Sequence, residues 1–264
     1  MKIALVQMNI VWGDPQANFD RLDELFDSSG GRIEGCDLVV LPEMFPTGYA
    51  VSPRGIAERD GARALEWMRR TARRMNAAVM GSVAVEENFG SAGGGDKFYN
   101  RMYFVKPDGS ATAYDKRHLF SFAGEDREYT AGTERVVVEW RGWRILLQVC
   151  YDLRFPVFTR SRGDYDMIVY SANWPTARRS VWDTLLRARA IENLCYVAGV
   201  NRVGDDPAAS YSGGTYLIDY KGAVVAKDDG CEQIVTATAD MDALRAFRRK
   251  FPAEADADDF RLTL

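Results

Sequence analysis

Histidine is almost missing: His118 stands alone in a chain of 264 residues. A Cys-His pair or a Ser-His-Asp assembly therefore has one possible member and no spare. Cysteine is scarce too. Cys36, Cys150, Cys195 and Cys231 form no Cys-x-x-Cys pair and have no histidine cluster beside them, which argues against a zinc site or a thioredoxin-like motif and predicts a reducing compartment. No apolar run approaches the roughly 20 residues needed to span a bilayer. Met1 to Val11 is apolar enough to resemble a short signal core, but Gln7 and Asn9 interrupt it and no small-residue cleavage site follows, so it reads as a first strand of a soluble, cytoplasmic protein. An excess of one charge is also lacking. A net charge of −4 with 27% charged residues suggests neither nucleic acid nor an anionic membrane as partner, and a small-molecule substrate fits better. The run Gly90-Ser91-Ala92-Gly93-Gly94-Gly95 lacks the Gly-Lys-Ser/Thr ending of a phosphate loop and predicts a surface loop instead.

What is present is enough apolar residue, 47%, to close a core, and no linker or repeat divides the chain, so one domain over 1–264 is expected. Periodicity predicts a strand over 2–8, a helix from Asp14-Pro15 to about Phe26, and a strand over 37–41. A helix over 61–75 presents Ala64, Leu65, Met68, Ala72 and Met75 on one face, and a strand follows over 78–85. The pattern then changes to hairpins, 100–105 with 111–114 around Pro107-Asp108-Gly109, and 136–140 with 143–149 around Arg141-Gly142. Alternation returns with a helix over 155–162, a strand over 167–171, a helix over 179–193 and a strand over 196–200. A hairpin of 215–219 with 223–226, a strand over 234–239 and a helix over 241–250 complete the elements. The segment from Ala253 to Leu264 is too polar for a core element and reads as a tail docking on a partner subunit.

Three ionisable residues end β-rich or apolar runs. Cys150 follows Ile145 to Val149, Glu43 closes Asp-Leu-Val-Val-Leu-Pro-Glu, and Lys116 closes Ala-Thr-Ala-Tyr-Asp-Lys. A cysteine attacks as thiolate, and a neighbouring base or cation raises its reactivity. With histidine almost absent, a glutamate base beside a lysine is the remaining way to run acyl transfer. Taken singly, each residue has a plainer reading: a small core cysteine, a solvated carboxylate, a surface lysine.

Taken together, Leu-Pro-Glu-Met-Phe-Pro-Thr-Gly-Tyr, Tyr-Asp-Lys-Arg-His-Leu-Phe and Val-Cys-Tyr-Asp-Leu-Arg-Phe-Pro resemble the three signature segments of the nitrilase, or carbon-nitrogen hydrolase, superfamily. The opening Ile-Ala-Leu-Val-Gln-Met, the Tyr-Asn-Arg at 99–101, the Ala-Arg-Ala-Ile-Glu-Asn at 188–193 and Asn201-Arg202 extend the likeness over nearly the whole chain. The resemblance implies an α/β fold, a four-layer αββα sandwich with mixed sheets, that pairs as a homodimer. It implies Glu43 as general base, Lys116 and the backbone N–H of Tyr151 at the oxyanion, Cys150 as nucleophile and Glu125 as an additional positioning glutamate. It makes His118 a structural donor beside Lys116. Asp152 and Arg154 are expected to fix the nucleophile's turn by pairing. No metal and no cofactor are called for.

Cys-Tyr-Asp-Leu-Arg-Phe-Pro and the ending Lys-Phe-Pro-Ala-Glu-Ala-Asp-Ala-Asp-Asp-Phe-Arg-Leu are similar to the bacterial ω-amidase branch, whereas nitrile hydrolysers usually place Trp-Glu where Tyr151-Asp152 stands. That branch implies short dicarboxylic monoamides, of the α-ketoglutaramate or succinamate type, hydrolysed to the acid and ammonia through a thioester. The distal carboxylate then needs a cationic or hydroxyl partner, and Tyr49, Trp174 and Arg178 are the candidates for the pocket. Ser-Gly-Gly-Thr at 212–215 departs from the branch, which usually carries a larger polar residue at the second glycine, and leaves that side of the pocket open. Another hydrolase of the superfamily, carbamoylase or nitrilase in type, and a catalytically silent binding member stay as alternatives.

Overall fold

The computed structural model describes residues 1–87 and 96–262, so the glycine-rich run at 90–95 lies outside the described residues. Its first half opens with β1 (Lys2–Gln7), α1 (Pro15–Asp27), β2 (Leu38–Val40), the short β3 (Glu58–Arg59), α2 (Ala62–Met75) and β4 (Ala78–Glu87). Asp14 caps α1 by accepting the Ala17 N–H at 3.0 Å, with Pro15 in the first turn, and Asn76 ends α2 in the left-handed region. β5 (Lys97–Val105) and β6 (Ala111–Asp115) follow, and after the four-residue α3 (Glu125–Glu128) the second half begins with β7 (Val137–Trp140) and β8 (Trp143–Val149). Arg141 and Gly142 join these two with φ of 46° and 78°, the pair of positive values that a tight two-residue hairpin turn needs.

Beyond β8 the chain runs through a 3₁₀ turn (Cys150–Arg154) and α4 (Pro156–Thr159) to β9 (Met167–Ser171), then through α5 (Arg179–Glu192) to β10 (Tyr196–Val200). β11 (Val203–Asp205) and β12 (Ser210–Ser212) form a separate ribbon. β13 (Tyr216–Ile218), β14 (Val224–Lys227), β15 (Gln233–Thr238) and α6 (Met241–Lys250) complete the elements. The 155–162 helix of the sequence reading shrinks to four residues, because Arg160 leaves the helical region with φ of −53° and ψ of 126° and the Ser161 N–H goes to the Asn193 side chain at 2.9 Å.

Two mixed sheets result, ordered β15-β1-β2-β4-β5-β6 with β3 beside β4, and β14-β13-β10-β9-β8-β7. Each has a parallel centre, β1-β2-β4 in one and β8-β9-β10 in the other, flanked by antiparallel strands. Strand alternation builds the layers. Ile3, Leu5, Leu38 and Val40 share one core with β8, β9 and β10, while Ala4, Val6, Val39 and Leu41 pack with α1 and α2 residues. On the far side α5 lies against β10 so closely that a Cβ on Gly199 would stand 2.6 Å from Leu186. Helix, sheet, sheet and helix are thus stacked as an αββα sandwich.

The α2 face differs from its sequence reading. Ala64, Met68 and Ala72 are buried as expected, but Trp67 and Thr71 are buried with them, and Leu65 and Met75 sit at the margin. Trp67 turns inward because Phe19 of α1 and Phe45 receive its ring at 5.7 Å. The C-terminal tail packs on its own chain: Ser161 donates to Glu254 at 2.7 Å, Arg162 lies 4.7 Å over Phe260, and Leu262 joins the core between the sheets.

Trp67→Ala should lower stability by about 3–5 kcal/mol, the usual effect of emptying a large aromatic site. Urea unfolding measures this, and a loss under about 1 kcal/mol would show that the α1–α2 seam closes up without the indole.

Candidate active site

The ends of β2 and β9 meet across the two sheets, where the Ser171 hydroxyl donates to the Leu41 carbonyl at 2.8 Å. Glu43 stands just past β2, Lys116 just past β6 and Cys150 just past β8, so three separate strands deliver them to this rim. All three line one cavity of about 890 Å³. The convergence expected from the sequence is therefore present.

Lys116 is fully buried, and its Nζ donates to Glu43 Oε1 at 2.9 Å and to Glu125 Oε2 and Oε1 at 2.9 and 3.1 Å. Burial alone would drive the ammonium to lose its proton. Glu125 and Glu43 override that and hold the lysine well above its ordinary range. Glu125 is fixed in turn by the Phe120 backbone N–H at 2.6 Å. The second oxygen of Glu43 accepts the Asn173 N–H at 2.9 Å, and the Asn173 side chain donates to the Glu43 carbonyl at 2.6 Å. Asn100 donates to both carboxylates, at 2.8 Å to Glu43 and 3.2 Å to Glu125.

Cys150 has φ of +46°, and Met44, next to Glu43, has +43°. Left-handed backbone costs a residue other than glycine about 1–2 kcal/mol, so the surrounding structure must hold both. For Cys150 the holder is Asp152. Its buried carboxylate accepts the Val149 N–H at 2.9 Å, the Tyr114 hydroxyl at 2.7 Å and the His118 N–H at 2.9 Å, with His118 Nδ1 at 2.8 Å. His118 is thereby a structural partner, stacked on Phe155 at 3.9 Å. Burial first, and then the negative charge of Glu43, push the Cys150 thiol well above its usual range, while Lys116 and a contact to the Asn173 carbonyl act the other way. The thiol at rest keeps its proton.

Around this floor, the Tyr49 ring lies 5.4 Å from Lys116 Nζ, and its buried hydroxyl has no hydrogen-bond partner among the described residues. Burial pushes that phenol far up, so it stays a neutral donor. Trp174 forms a wall, its indole N–H held by the Arg178 carbonyl at 2.7 Å. The Arg178 guanidinium lies 5.1 Å over Phe120. Tyr151 is the second residue of the 3₁₀ turn, with its ring against Phe120 and Phe155.

Arg154 requires a correction. The sequence reading paired it with Asp152 to fix the turn, but Tyr114, His118 and Val149 already occupy both oxygens of Asp152. The Arg154 side chain leaves the turn, lies 5.5 Å over Trp174 and lines the cavity. Ser-Gly-Gly-Thr at 212–215 also differs from expectation. Neither glycine lines the cavity, and at the second, Gly214, φ is +106° and a Cβ would stand 2.7 Å from Arg179, so no larger residue fits.

The family profile described as Carbon-nitrogen hydrolase matches residues 2–249. The chain belongs to the carbon-nitrogen hydrolase family. It is 46% identical to the Omega-amidase YafV of Yersinia enterocolitica, over 99% of this chain and 98% of that one. It is 33% identical to the 2-oxoglutaramate amidase of Bacillus subtilis at the same coverage. Among solved structures, XC1258 from Xanthomonas campestris, a CN-hydrolase superfamily protein with an arsenic adduct in its active site, superposes with a TM-score of 0.92 at 44% identity, covering 100% of this chain and 99% of that one.

Three residues of this carbon-nitrogen hydrolase escaped the sequence reading of the site: Asn100, Asn173 and Arg154. Asn100 and Arg154 lie inside segments that carried the family resemblance, and Asn173 directly precedes Trp174, so position was a signal even though a neutral amide in an apolar strand is not. Asp152→Ala should strip the partner from three donors behind Cys150 and destabilise the fold by at least about 2 kcal/mol. Chemical denaturation tests this, and an unchanged midpoint would mean that the strained turn has another support.

Proposed function

We propose that this carbon-nitrogen hydrolase is an ω-amidase, removing the terminal carboxamide of a short dicarboxylic monoamide as ammonia. The observation that carries the reading is the meeting of the Glu43 carboxylate, the Lys116 ammonium and the Cys150 thiol at the floor of a single cavity. The relatives named Omega-amidase and 2-oxoglutaramate amidase support the choice of substrate.

Because the thiol rests protonated, attack and deprotonation go together. Cys150 Sγ adds to the amide carbonyl carbon as Glu43 takes the thiol proton. The oxyanion faces the Lys116 ammonium and the Tyr151 backbone N–H. The C–N bond then breaks, Glu43 hands its proton to the departing ammonia, and an acyl thioester remains on Cys150. A water molecule next gives a proton to Glu43 and adds to the thioester, the C–S bond breaks, and the proton returns to sulfur. Glu125 acts through Lys116, which it holds by both oxygens.

The distal carboxylate would be held at the opposite wall. Arg154 and Arg178 both line the cavity, each rests on an aromatic face, and neither forms an ion pair among the described residues. Tyr49 offers a neutral hydroxyl and Trp174 a flat wall. Under the same reading the chain is one catalytic domain, works as a homodimer and resides in the cytoplasm. The family match over 2–249, the exposed apolar Val157 and Ile191 and the four free thiols support these points respectively.

Incubation with succinamate should release ammonia, and Cys150→Ala should abolish the release; turnover by that variant would defeat the assignment. Lys116→Met should lower kcat by about 10²–10³ while leaving KM nearly unchanged, as loss of an oxyanion donor does. Arg154→Ala and Arg178→Ala should each lower kcat/KM for succinamate by about 10- to 100-fold, the value of a charge-assisted hydrogen bond. The same variants should leave the slower hydrolysis of butyramide, which has no carboxylate, as it was. Equal losses on both amides would place the anchor elsewhere.

A further inference from the structure

We propose that Asn100 is a positioning residue of this reaction: its side-chain amide ties Glu43 and Glu125 together around Lys116, so that Glu43 stands ready for the thiol proton. The inference rests on the reading of Glu43 as the base.

Asn100 is fully buried in β5, opposite Ala84 of β4. It touches every part of the charged cluster. Its Nδ2 donates to Glu43 Oε1 at 2.8 Å and to Glu125 Oε1 at 3.2 Å, and its backbone carbonyl accepts the Lys116 N–H at 2.9 Å. Its Oδ1 is buried with no partner among the described residues. A buried acceptor left unpaired is destabilising and calls for an explanation. The explanation is in the other half of the amide. Turned over, the side chain would set Oδ1 against two carboxylate oxygens, so their negative charge fixes its orientation. An apolar side chain would remove the orphan but also the only neutral donor that bridges the two glutamates among the described residues.

A neutral donor is what the chemistry requires here. One ammonium faces two carboxylates, and hydrogen bonds to a carboxylate favour its ionised form. A second cation at position 100 would balance the charge, but it would also favour the thiolate and weaken the base. The other groups near Asn100's partners are the Cys150 thiol and the phenols of Tyr49 and Tyr129. Burial pushes all three upward, so they stay protonated near neutrality.

The test uses Asn100→Asp and Asn100→Ser in the full-length protein. A carboxyl at this position can donate only while it holds a proton. A third acid there shares the cluster with a single ammonium and competes with Glu43 for a proton, so in Asn100→Asp kcat for succinamate should fall about ten-fold or more at neutral pH and its pH profile should be displaced from the native one, with KM changed less than about two-fold. Asn100→Ser keeps one small donor and should move the acid limb of kcat/KM upward by about one pH unit. Inactivation by iodoacetamide, followed against pH, should show the same displacement without any substrate. It therefore reads the cluster even if succinamate proves to be the wrong amide. Near-ultraviolet circular dichroism confirms that each variant is folded, and the serine variant decides if the aspartate variant is not. A pH profile superimposable on the native one overturns the proposal. A loss of rate that is uniform across pH does so too, since it would mark Asn100 as structural support alone.

Discussion

A single buried ammonium shared by two buried carboxylates governs the chemistry of this site. Taking one such ion out of water costs several kcal/mol, and close, well-aligned partners offset it. Lys116 has three oxygen contacts within 3.1 Å, and Glu43 and Glu125 are each held by further donors. The cluster is satisfied but not neutral. Burial, and after it the negative charge of Glu43, keeps the Cys150 thiol protonated. This differs from the ion pair of a cysteine with a protonated histidine, where a cation preforms the thiolate. Under the proposed function the sulfur loses its proton during attack, and Glu43, a carboxylate within the same cluster, takes it.

The fold contributes rigidity from two directions. Each sheet supplies a parallel centre whose strand ends converge on the same rim, and the Ser171–Leu41 hydrogen bond ties those ends together. Asp152 links the segment after β6 to the turn after β8, because His118 and Tyr114 bond to the carboxylate that also fixes Val149. Lys116 and the strained Cys150 are therefore not independent. A displacement of one segment is passed to the other through a buried carboxylate, which is a reason for an acid two residues after Cys150 and a lone histidine two residues after Lys116.

The parts of this arrangement that were legible in the sequence are those with a local cause. β1, α1, β8, β9 and α5 show strong periodicity and clear ends, and their boundaries fall within a residue or two of the reading. Glu43, Lys116 and Cys150 were legible because each closes a run of β character and because three ordered motifs occur together. What was not legible depends on distant partners. The 3₁₀ turn at Cys150–Arg154 is set by Tyr114 and His118, so nothing within the turn announces that Arg154 is released to the cavity. Trp67 faces inward because Phe19 and Phe45 make room for it, whereas helical spacing alone favoured Leu65. For Asn100 the family-like segment around it marked a position but not a role, which arises only when Glu43 and Glu125 arrive beside it from positions 57 and 25 residues away.

Under the proposed function, charge rather than size orients the substrate. A cavity of about 890 Å³ greatly exceeds a five-carbon amide acid, so steric fit alone cannot decide which end meets the sulfur. The floor presents the Glu43 carboxylate, and Glu125 behind it already holds Lys116 by both oxygens, so a second carboxylate is poorly received there. The lining also attracts one, through the guanidiniums of Arg154 and Arg178, which rest on Trp174 and Phe120 and form no ion pair among the described residues. The neutral carboxamide is the end that can approach Glu43 without repulsion. A monoamide of a dicarboxylic acid thus enters in one orientation, while a diacid, with no neutral end, is turned away. The Glu43 charge, which adds to burial in keeping the thiol protonated, also lets the product leave: once the carboxamide becomes a carboxylate, it is no longer well received beside Glu43.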